Sequence, residues 1–147
     1  MPVLNRAWRA IHRFFVRLNA PVTIDLDAPA IIKDRRAERR ALVLLIRQLS
    51  PEQRQEFRKS RYFHVTGGST GDRYRIRVGK IANIDALRDD GTVKHCLCVT
   101  LTGGVPVYDV MAAQLLYLQD AATERRLLRE ANIHPARPED RRFSPFA

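Results

Sequence analysis

Two cysteines and a histidine lie together in the segment HCLC, as His95, Cys96 and Cys98. In an extended strand, alternate residues point to the same face, so the two thiols share one face and His95 lies on the other. Two thiolates supply only half of the four ligands of a structural zinc site. His64 and His134 are the further candidate ligands, so Cys96 and Cys98 are weak candidates for a metal site.

The same residue types suggest cysteine chemistry as an alternative. A nucleophilic cysteine needs a base within hydrogen-bond distance and a lowered thiol pKa. An enzyme of this kind would use one of the two cysteines, a histidine such as His64 or His95, and the carboxylate of Asp109. Nothing in their spacing indicates such a group, and cysteine is a common small core residue. We therefore expect no catalytic activity and no metal or other cofactor.

Arginine occupies every second position of the segment RYRIR, as Arg73, Arg75 and Arg77. On one face of a strand these side chains lie about 6.5–7 Å apart, close to the spacing of successive phosphates. This pattern predicts an anion-binding row and makes nucleic acid an alternative partner. Asp85 or Asp89 would neutralise the row if either lies beside it, leaving an ordinary solvated face of a sheet.

A glycine-rich run, GGSTG at residues 67–71, precedes these arginines. A phosphate-binding loop presents backbone N–H groups, usually from the start of a helix, and often ends in Gly-Lys-Ser/Thr. Here a strand follows and that ending is missing. The run therefore predicts a tight turn between two strands, made possible by Gly67, Gly68 and Gly71.

The region 65–118 resembles the SWIM zinc-binding domain in a form depleted of zinc ligands, as in small uncharacterised bacterial proteins. The resemblance is carried by Val65, by Thr70-Gly71 with Tyr74, by Cys96-Leu97-Cys98, and by the helical segment VMAAQLLYL at 110–118. The positions of the third and fourth ligands hold Val107 and Asp109. The resemblance implies a role in binding DNA or protein, with a metal site that is broken.

The first element that positions these groups is a helix predicted over residues 3–18. Aromatic and aliphatic side chains recur along one stripe at helical spacing, including Trp8, Ile11, Phe14 and Phe15. The opposite face carries Arg6, Arg9, Arg13 and Arg17, with Val16 as the exception, and the segment has no acidic residue. A basic amphipathic helix with aromatic anchors is typical of a helix that docks on a membrane interface. The alternative is that its apolar stripe packs on its own domain or on a partner protein.

Residues 21–30 form a predicted linker, in which Val22, Ile24 and Leu26 alternate as in a short strand. A helix follows over about 29–49, and its apolar end is expected to be buried. Ser50-Pro51 with Gln53 is a capping box that predicts a second helix to about Lys59. Strands are predicted at 62–66, 73–78, 81–87 and 93–101, with a hairpin turn at 89–92. A last helix, capped by Asp109, is predicted over 109–131.

These elements predict an α+β fold, with a small antiparallel β-meander packed on two helices, a leading amphipathic helix and an extended tail. The face of Tyr74, Ile76 and Val78, and that of Leu97, Val99 and Leu101, should pack on helices 29–49 and 109–131. The predicted units are residues 1–20 as the basic helix, 21–30 as the linker, 31–131 as one domain, and 132–147 as the tail. The tail ends in the aromatic pair Phe143 and Phe146.

The composition and charge of the chain limit the classes of function that we expect. The 147 residues carry a net charge of +10, with most of the excess in residues 1–60, which favours anionic partners. No apolar run reaches the ~20 residues of a membrane span. We expect a non-catalytic binding or assembly module that docks on a larger protein assembly or an anionic membrane surface, with nucleic acid as the alternative partner and no small-molecule substrate. The expected location is the cytoplasm, including the periphery of the membrane.

Overall fold

The computed structural model describes residues 35–99 and 103–141. The predicted helix 3–18 with its docking residues, the linker 21–30, Leu101 and the aromatic pair Phe143 and Phe146 lie outside the described residues.

Four α-helices and one five-stranded sheet form the described fold. The helices are α1 (Arg35–Gln48), α2 (Pro51–Ser60), α3 (Val107–Gln119) and α4 (Ala121–Glu130). The strands are β1 (Tyr62–Thr66), β2 (Arg73–Arg77), β3 (Ile84–Leu87), β4 (Val93–Cys98) and β5 (Asn132–Pro135), and a 3-10 helix (Glu139–Arg141) follows. The strand order is β1-β2-β3-β4-β5, and every neighbouring pair is antiparallel. The prediction of an α+β fold with an antiparallel meander is confirmed.

Two local signals, the capping box at Ser50 and the Asp-Gly turn, are confirmed. The Ser50 hydroxyl accepts a hydrogen bond from the Gln53 N–H at 3.2 Å, and the Gln53 side chain accepts one from the Ser50 N–H at 2.9 Å. At the β3–β4 hairpin, Gly91 takes a φ of +81°, and its N–H donates to the Arg88 carbonyl at 2.9 Å. Both motifs depend on bonds between residues close in sequence, so the sequence alone specifies them.

The predicted single helix 109–131 is wrong, because two helices occupy this region. Asp120 has an extended backbone and ends α3, and its carboxylate accepts hydrogen bonds from the N–H groups of Ala122 and Thr123. It is therefore the N-cap of α4. The predicted capping role of Asp109 is also wrong, since α3 begins after Pro106 and Asp109 lies inside its first turn.

One face of the sheet packs on the helices to form the main core. Phe63, Tyr74, Ile76, Ile84 and Leu97 are each at most 1% exposed on this face. They pack with residues of α1 and α3 such as Leu45, Met111 and Leu115. Val78, predicted to share this face, lies beyond the end of β2 and is 38% exposed.

The segment predicted to begin an extended tail belongs to the sheet. Residues 132–135 are extended, as expected, but they pair with β4 as strand β5. The chain then turns back over the other face of the sheet, where Ala136 packs against Val93 and Cys96. Asp140 in the 3-10 helix lies 3.1 Å from an Arg75 nitrogen. The sheet therefore gains a fifth strand that the sequence pattern did not reveal.

The glycine-rich run forms the predicted turn, and the turn also holds an internal anion. The Gly71 N–H donates to the Gly67 carbonyl at 3.1 Å, which closes the turn between β1 and β2. The fully buried carboxylate of Glu124 in α4 accepts hydrogen bonds from the N–H and hydroxyl groups of both Ser69 and Thr70, and from the Tyr74 hydroxyl. The cradle considered for phosphate is thus occupied by a side chain of the same protein.

The two leading glycines allow this close approach. A Cβ at Gly67 would lie 2.0 Å from a Glu124 carboxylate oxygen, and a Cβ at Gly68 would lie 2.2 Å from the Gln119 carbonyl oxygen. Burial by itself would raise the pKa of Glu124, but the hydrogen bonds from Ser69, Thr70 and Tyr74 lower it from 4.5 to about 2. The charged carboxylate therefore stabilises the folded state.

We expect Glu124→Gln to destabilise the protein by on the order of 3 kcal/mol at neutral pH. Because the folded-state pKa is lowered, this contribution is fully present above about pH 4.5 and is lost as the pH falls towards 2. Urea unfolding at a series of pH values measures it as the difference between wild type and variant. The control is Glu130→Gln, since Glu130 is exposed and pairs with Arg126 at the surface of the same helix. An equal loss of stability in both variants, or a difference that persists at pH 2, would contradict this account.

Candidate functional site

The face of the sheet opposite the helices carries a row of polar side chains. Pairing in register places His64, Arg75, Asp85, Cys96 and His134 side by side across the five strands. Directly paired residues project to the same face, so the row follows from the registers. It brings together the histidines, the arginine and the cysteine that the sequence singled out separately.

Asp85 is the centre of this row. Its carboxylate is fully buried and accepts hydrogen bonds from Arg75 Nε at 2.7 Å and from Arg77 Nε and Nη2, both at 2.8 Å. Burial by itself would raise the pKa of Asp85, but the bonds from Arg77 and Arg75 hold it below the usual value. The site is therefore a buried carboxylate shared by two arginines.

The arginines at positions 75 and 77 are therefore bonded within the protein and do not form a free cationic row. Arg75 also bonds Asp140 at 3.1 Å, and Arg77 also donates to the Ala82 carbonyl at 2.9 Å. Arg73 is exposed at the start of the strand. The three guanidinium groups therefore do not form the uncompensated row on which the anion-binding prediction depended. The neutralising role of Asp85 was one of the alternatives that the sequence allowed.

Both cysteines are buried and free. The Cys96 thiol donates to Asp85 Oδ1 at 3.3 Å, and burial together with this carboxylate raises the thiol pKa. A raised pKa keeps the thiol protonated, which is the opposite of what a nucleophile needs. His95, on the opposite face, has a pKa lowered by burial and by Lys94. The geometry thus gives no support to cysteine catalysis at Cys96.

Within residues 35–99 and 103–141, no group of three or more His, Cys, Asp or Glu side chains is placed to hold a metal ion. Val107 and Asp109, at the remaining ligand positions of the SWIM pattern, lie in the first turn of α3. Burial, and then the nearby carboxylate of Glu38, raise the pKa of Asp109. The resemblance to a ligand-depleted SWIM domain stays a prediction.

The outer side of α1 carries exposed aliphatic side chains among arginines. Val43 is 51% exposed and Leu44 is 45% exposed. Together with the side chains of Arg39, Arg40 and Arg47 they line a shallow depression of about 370 Å³. We call these five residues the α1 face. The expectation that the whole apolar end of this helix is buried is therefore wrong for Val43 and Leu44.

Val43 and Leu44 are exposed because the apolar segment ALVLLI is too long to lie on a single stripe of the helix. Ala41, Leu45 and Leu49 recur every four residues and are buried against the core. A helix packed on one side buries one stripe, so an apolar run of six residues also places side chains on the outer side. Sequence reasoning missed the α1 face because it treated the run as a unit, although helical spacing separates Val43 and Leu44 from the buried stripe.

The chain matches no protein-family model, no curated protein and no solved structure. Of the helices described, none has the length and apolar character needed to cross a membrane.

We expect Arg77→Ala to destabilise the protein by about 3 kcal/mol, because it removes two of the hydrogen bonds that satisfy a buried carboxylate. Arg73→Ala is the matched control, since it removes an exposed arginine from the same strand and should change stability by at most about 0.5 kcal/mol. Urea unfolding of both variants at pH 7 measures the difference. Equal effects would show that Arg77 does not stabilise the fold through Asp85.

Proposed function

We propose that this protein is a non-catalytic docking module whose α1 face binds an anionic membrane surface. The observation that carries the proposal is the exposed pair Val43 and Leu44 between arginines on one side of a helix whose other side is buried. Exposed aliphatic residues among cations are suited to binding a membrane interface, where acyl chains lie below anionic headgroups.

The magnitudes indicate reversible binding. Burying the exposed parts of Val43 and Leu44 contributes about 1 kcal/mol each. Each arginine near an anionic bilayer contributes about 1 kcal/mol. The α1 face would then supply roughly 5 kcal/mol, comparable with one myristoyl chain, which alone binds membranes only marginally. Stable docking needs a second signal, and the predicted helix 3–18, with Trp8, Phe14 and Phe15, has the composition to supply it.

Three observations favour lipid over the other partners. A nucleic acid presents a track of phosphates, and its binding would leave the aliphatic centre of the α1 face without a partner. Two of the three arginines predicted to bind nucleic acid, Arg75 and Arg77, instead bond Asp85, which leaves Arg73 as the exposed one of the three. The depression on α1 is shallow, and its lining includes no aromatic residue, whereas anchor residues of protein interfaces usually enter deep pockets. A larger protein assembly is the alternative partner, and the experiment below can identify it.

The absence of catalysis is part of the proposal. The one thiol in the polar row has a raised pKa, and its carboxylate neighbour is neutralised by two arginines. Such a group stabilises a fold but provides no base for a nucleophile. The cytoplasmic side of a membrane, where anionic lipids are concentrated, is the location that this proposal implies.

Vesicle sedimentation of the full chain tests the proposal. Wild type should bind vesicles containing phosphatidylserine, and binding should weaken as salt rises. Replacing Arg39 and Arg47 together with Glu should lower the partition coefficient at least about tenfold, because each reversal removes an attraction and adds a repulsion. Replacing Val43 and Leu44 together with Ser should lower it about thirtyfold, as expected for the loss of about 2 kcal/mol.

Matched controls distinguish an effect specific to the α1 face from a general effect of net charge. Arg58 and Arg125 are exposed on α2 and α4, and changing both to Glu alters the net charge by the same amount. This control should retain most of the binding. If both charge-reversal pairs weaken binding equally, or if wild type binds neutral and anionic vesicles alike, the α1 face is not the docking surface. Loss of binding to a protein assembly, with vesicle binding unchanged in every variant, would identify a protein partner instead.

A further inference from the structure

The two edges of the sheet differ in how their backbone groups are bonded. At the β1 edge, side chains of α2 cap the outward groups of His64. The His64 N–H donates to Glu56 Oε2 at 2.9 Å, and the His64 carbonyl accepts from Gln53 Nε2 at 2.7 Å. These bonds occupy the groups that a further strand would need, so β1 is closed to pairing at this point.

The β5 edge has the opposite character. Strand β5 has the sequence Asn-Ile-His-Pro, so it carries no Lys, Arg, Asp or Glu, and all four of its residues are exposed. The Ile133 side chain is 66% exposed. Proteins usually protect a free edge with charged side chains, a covering segment or proline. Within the part of the chain that the structure describes, Pro135 is the one such feature on β5.

The hydrogen bonding across the sheet fixes which groups of β5 face outward. The Arg77 N–H donates to the Asn83 carbonyl, so Asn83 points towards β2. Bonding direction alternates along a strand, and Ile84 therefore bonds β4. Its partner Leu97 bonds β3 in return, so the next residue of β4, Cys96, bonds β5.

This alternation leaves four backbone groups directed away from the sheet. His134, the partner of Cys96, bonds β4, so Ile133 and Pro135 face outward. The outward groups are the N–H of Ile133 and the carbonyls of Ala131, Ile133 and Pro135. Proline suits this position, because its nitrogen carries no hydrogen and no bond within the sheet is lost when it points outward.

We propose that the β5 edge binds an extended segment of another protein as an added antiparallel strand. The residue opposite Ile133 accepts from its N–H and donates to its carbonyl, and the residues two before and two after donate to the carbonyls of Pro135 and Ala131. A segment of five residues thus satisfies all four outward groups, provided that its first, third and fifth residues are not proline. This site includes no residue of the α1 face, so it is independent of membrane docking.

The side chains beside the edge define the sequence that the added strand needs. Ile133 pairs with Leu97, so it lies on the face that packs on the helices, and an aliphatic residue opposite it extends that face. His134 lies on the other face and lines a depression of about 460 Å³, together with apolar residues and the cation Arg137. Among the described residues, no carboxylate lines this depression. An acidic residue immediately before the aliphatic one lies opposite His134 and complements the charge of Arg137.

A second copy of the chain is a poorer occupant. In an antiparallel pair of β5 strands centred on Ile133, the two Ile133 residues exchange both of their hydrogen bonds. The Pro135 carbonyl then faces Ala131, whose N–H already donates to the Leu127 carbonyl at 2.8 Å, and Pro135 offers no N–H to the Ala131 carbonyl. Two of the four outward groups on each copy are left without a bond, whereas a separate segment satisfies all four.

Calorimetric titration of the full chain with synthetic peptides tests the proposal. The probe is Val-Glu-Ile-Thr-Val, flanked by serines and blocked at both ends. Methylation of the isoleucine nitrogen removes the N–H that bonds the Ile133 carbonyl, so the affinity should fall at least about tenfold. Methylation of the glutamate nitrogen is the matched control, since that N–H faces away from β5, and the affinity should change by no more than about twofold. Equal losses for both peptides, or no saturable binding of the unmethylated probe at millimolar concentration, would overturn the proposal.

Charge reversal tests the acidic position of the added strand. Arg137→Glu should weaken binding of the probe about fivefold, and it should not weaken binding of the same peptide with glutamine in place of glutamate. Arg58→Glu is the control, since Arg58 is exposed on α2 and the net charge changes equally. If the two variants weaken binding of the probe to the same extent, Arg137 does not select an acidic strand and the stated partner is wrong.

Amide hydrogen exchange at Ile133 locates the bound strand. Ile133 should exchange rapidly in the free full chain, and saturating probe should slow its exchange at least about tenfold, because the amide gains a hydrogen bond. Exchange at Ile76, which lies inside the sheet, should not change. Slow exchange at Ile133 in the free chain would show that the edge is already covered. Slowing that depends on protein concentration and not on the probe would assign the edge to a second copy, and either result contradicts the proposal.

Discussion

The buried carboxylate of Glu124 is the interaction on which the rest of the fold depends. Five donors from Ser69, Thr70 and Tyr74 converge on it, and they join the β1–β2 turn to α4. Because α4 leads directly into β5, this contact also sets where the last strand meets the sheet. A buried charge is stable only when it is paired or fully hydrogen-bonded, so the glycines that allow the turn to approach are part of the same constraint.

A second buried carboxylate organises the opposite face. Asp85 draws Arg75 and Arg77 onto the sheet, and Arg75 in turn holds Asp140 of the returning C-terminal segment. Two of the three cations that the sequence presents as a binding row are thereby neutralised inside the protein. Exposed cations lie instead on helices such as α1, where arginines surround exposed aliphatic residues. Internal neutralisation on one surface thus directs the docking proposal to another.

The sequence by itself determined the features that depend on near neighbours. Ser50 with Gln53 specifies the start of α2, the Asp-Gly pair specifies the β3–β4 hairpin, and alternation in RYRIR specifies a strand with Tyr74 and Ile76 inward. These signals are complete within a few residues, so no distant contact is needed to interpret them. The α+β class and most strands followed from them.

Only the tertiary structure decided the rest. Asp120 divides the last helix because its carboxylate caps α4, and the local composition, rich in helix formers, does not reveal that break. The bonds of Glu124 to Ser69 and of Asp85 to Arg75 and Arg77 join groups far apart along the chain or on different strands. Whether an arginine is free, a cysteine is reactive or a valine is exposed depends on such partners, because burial and pairing set the free energy of each group, and residue type does not.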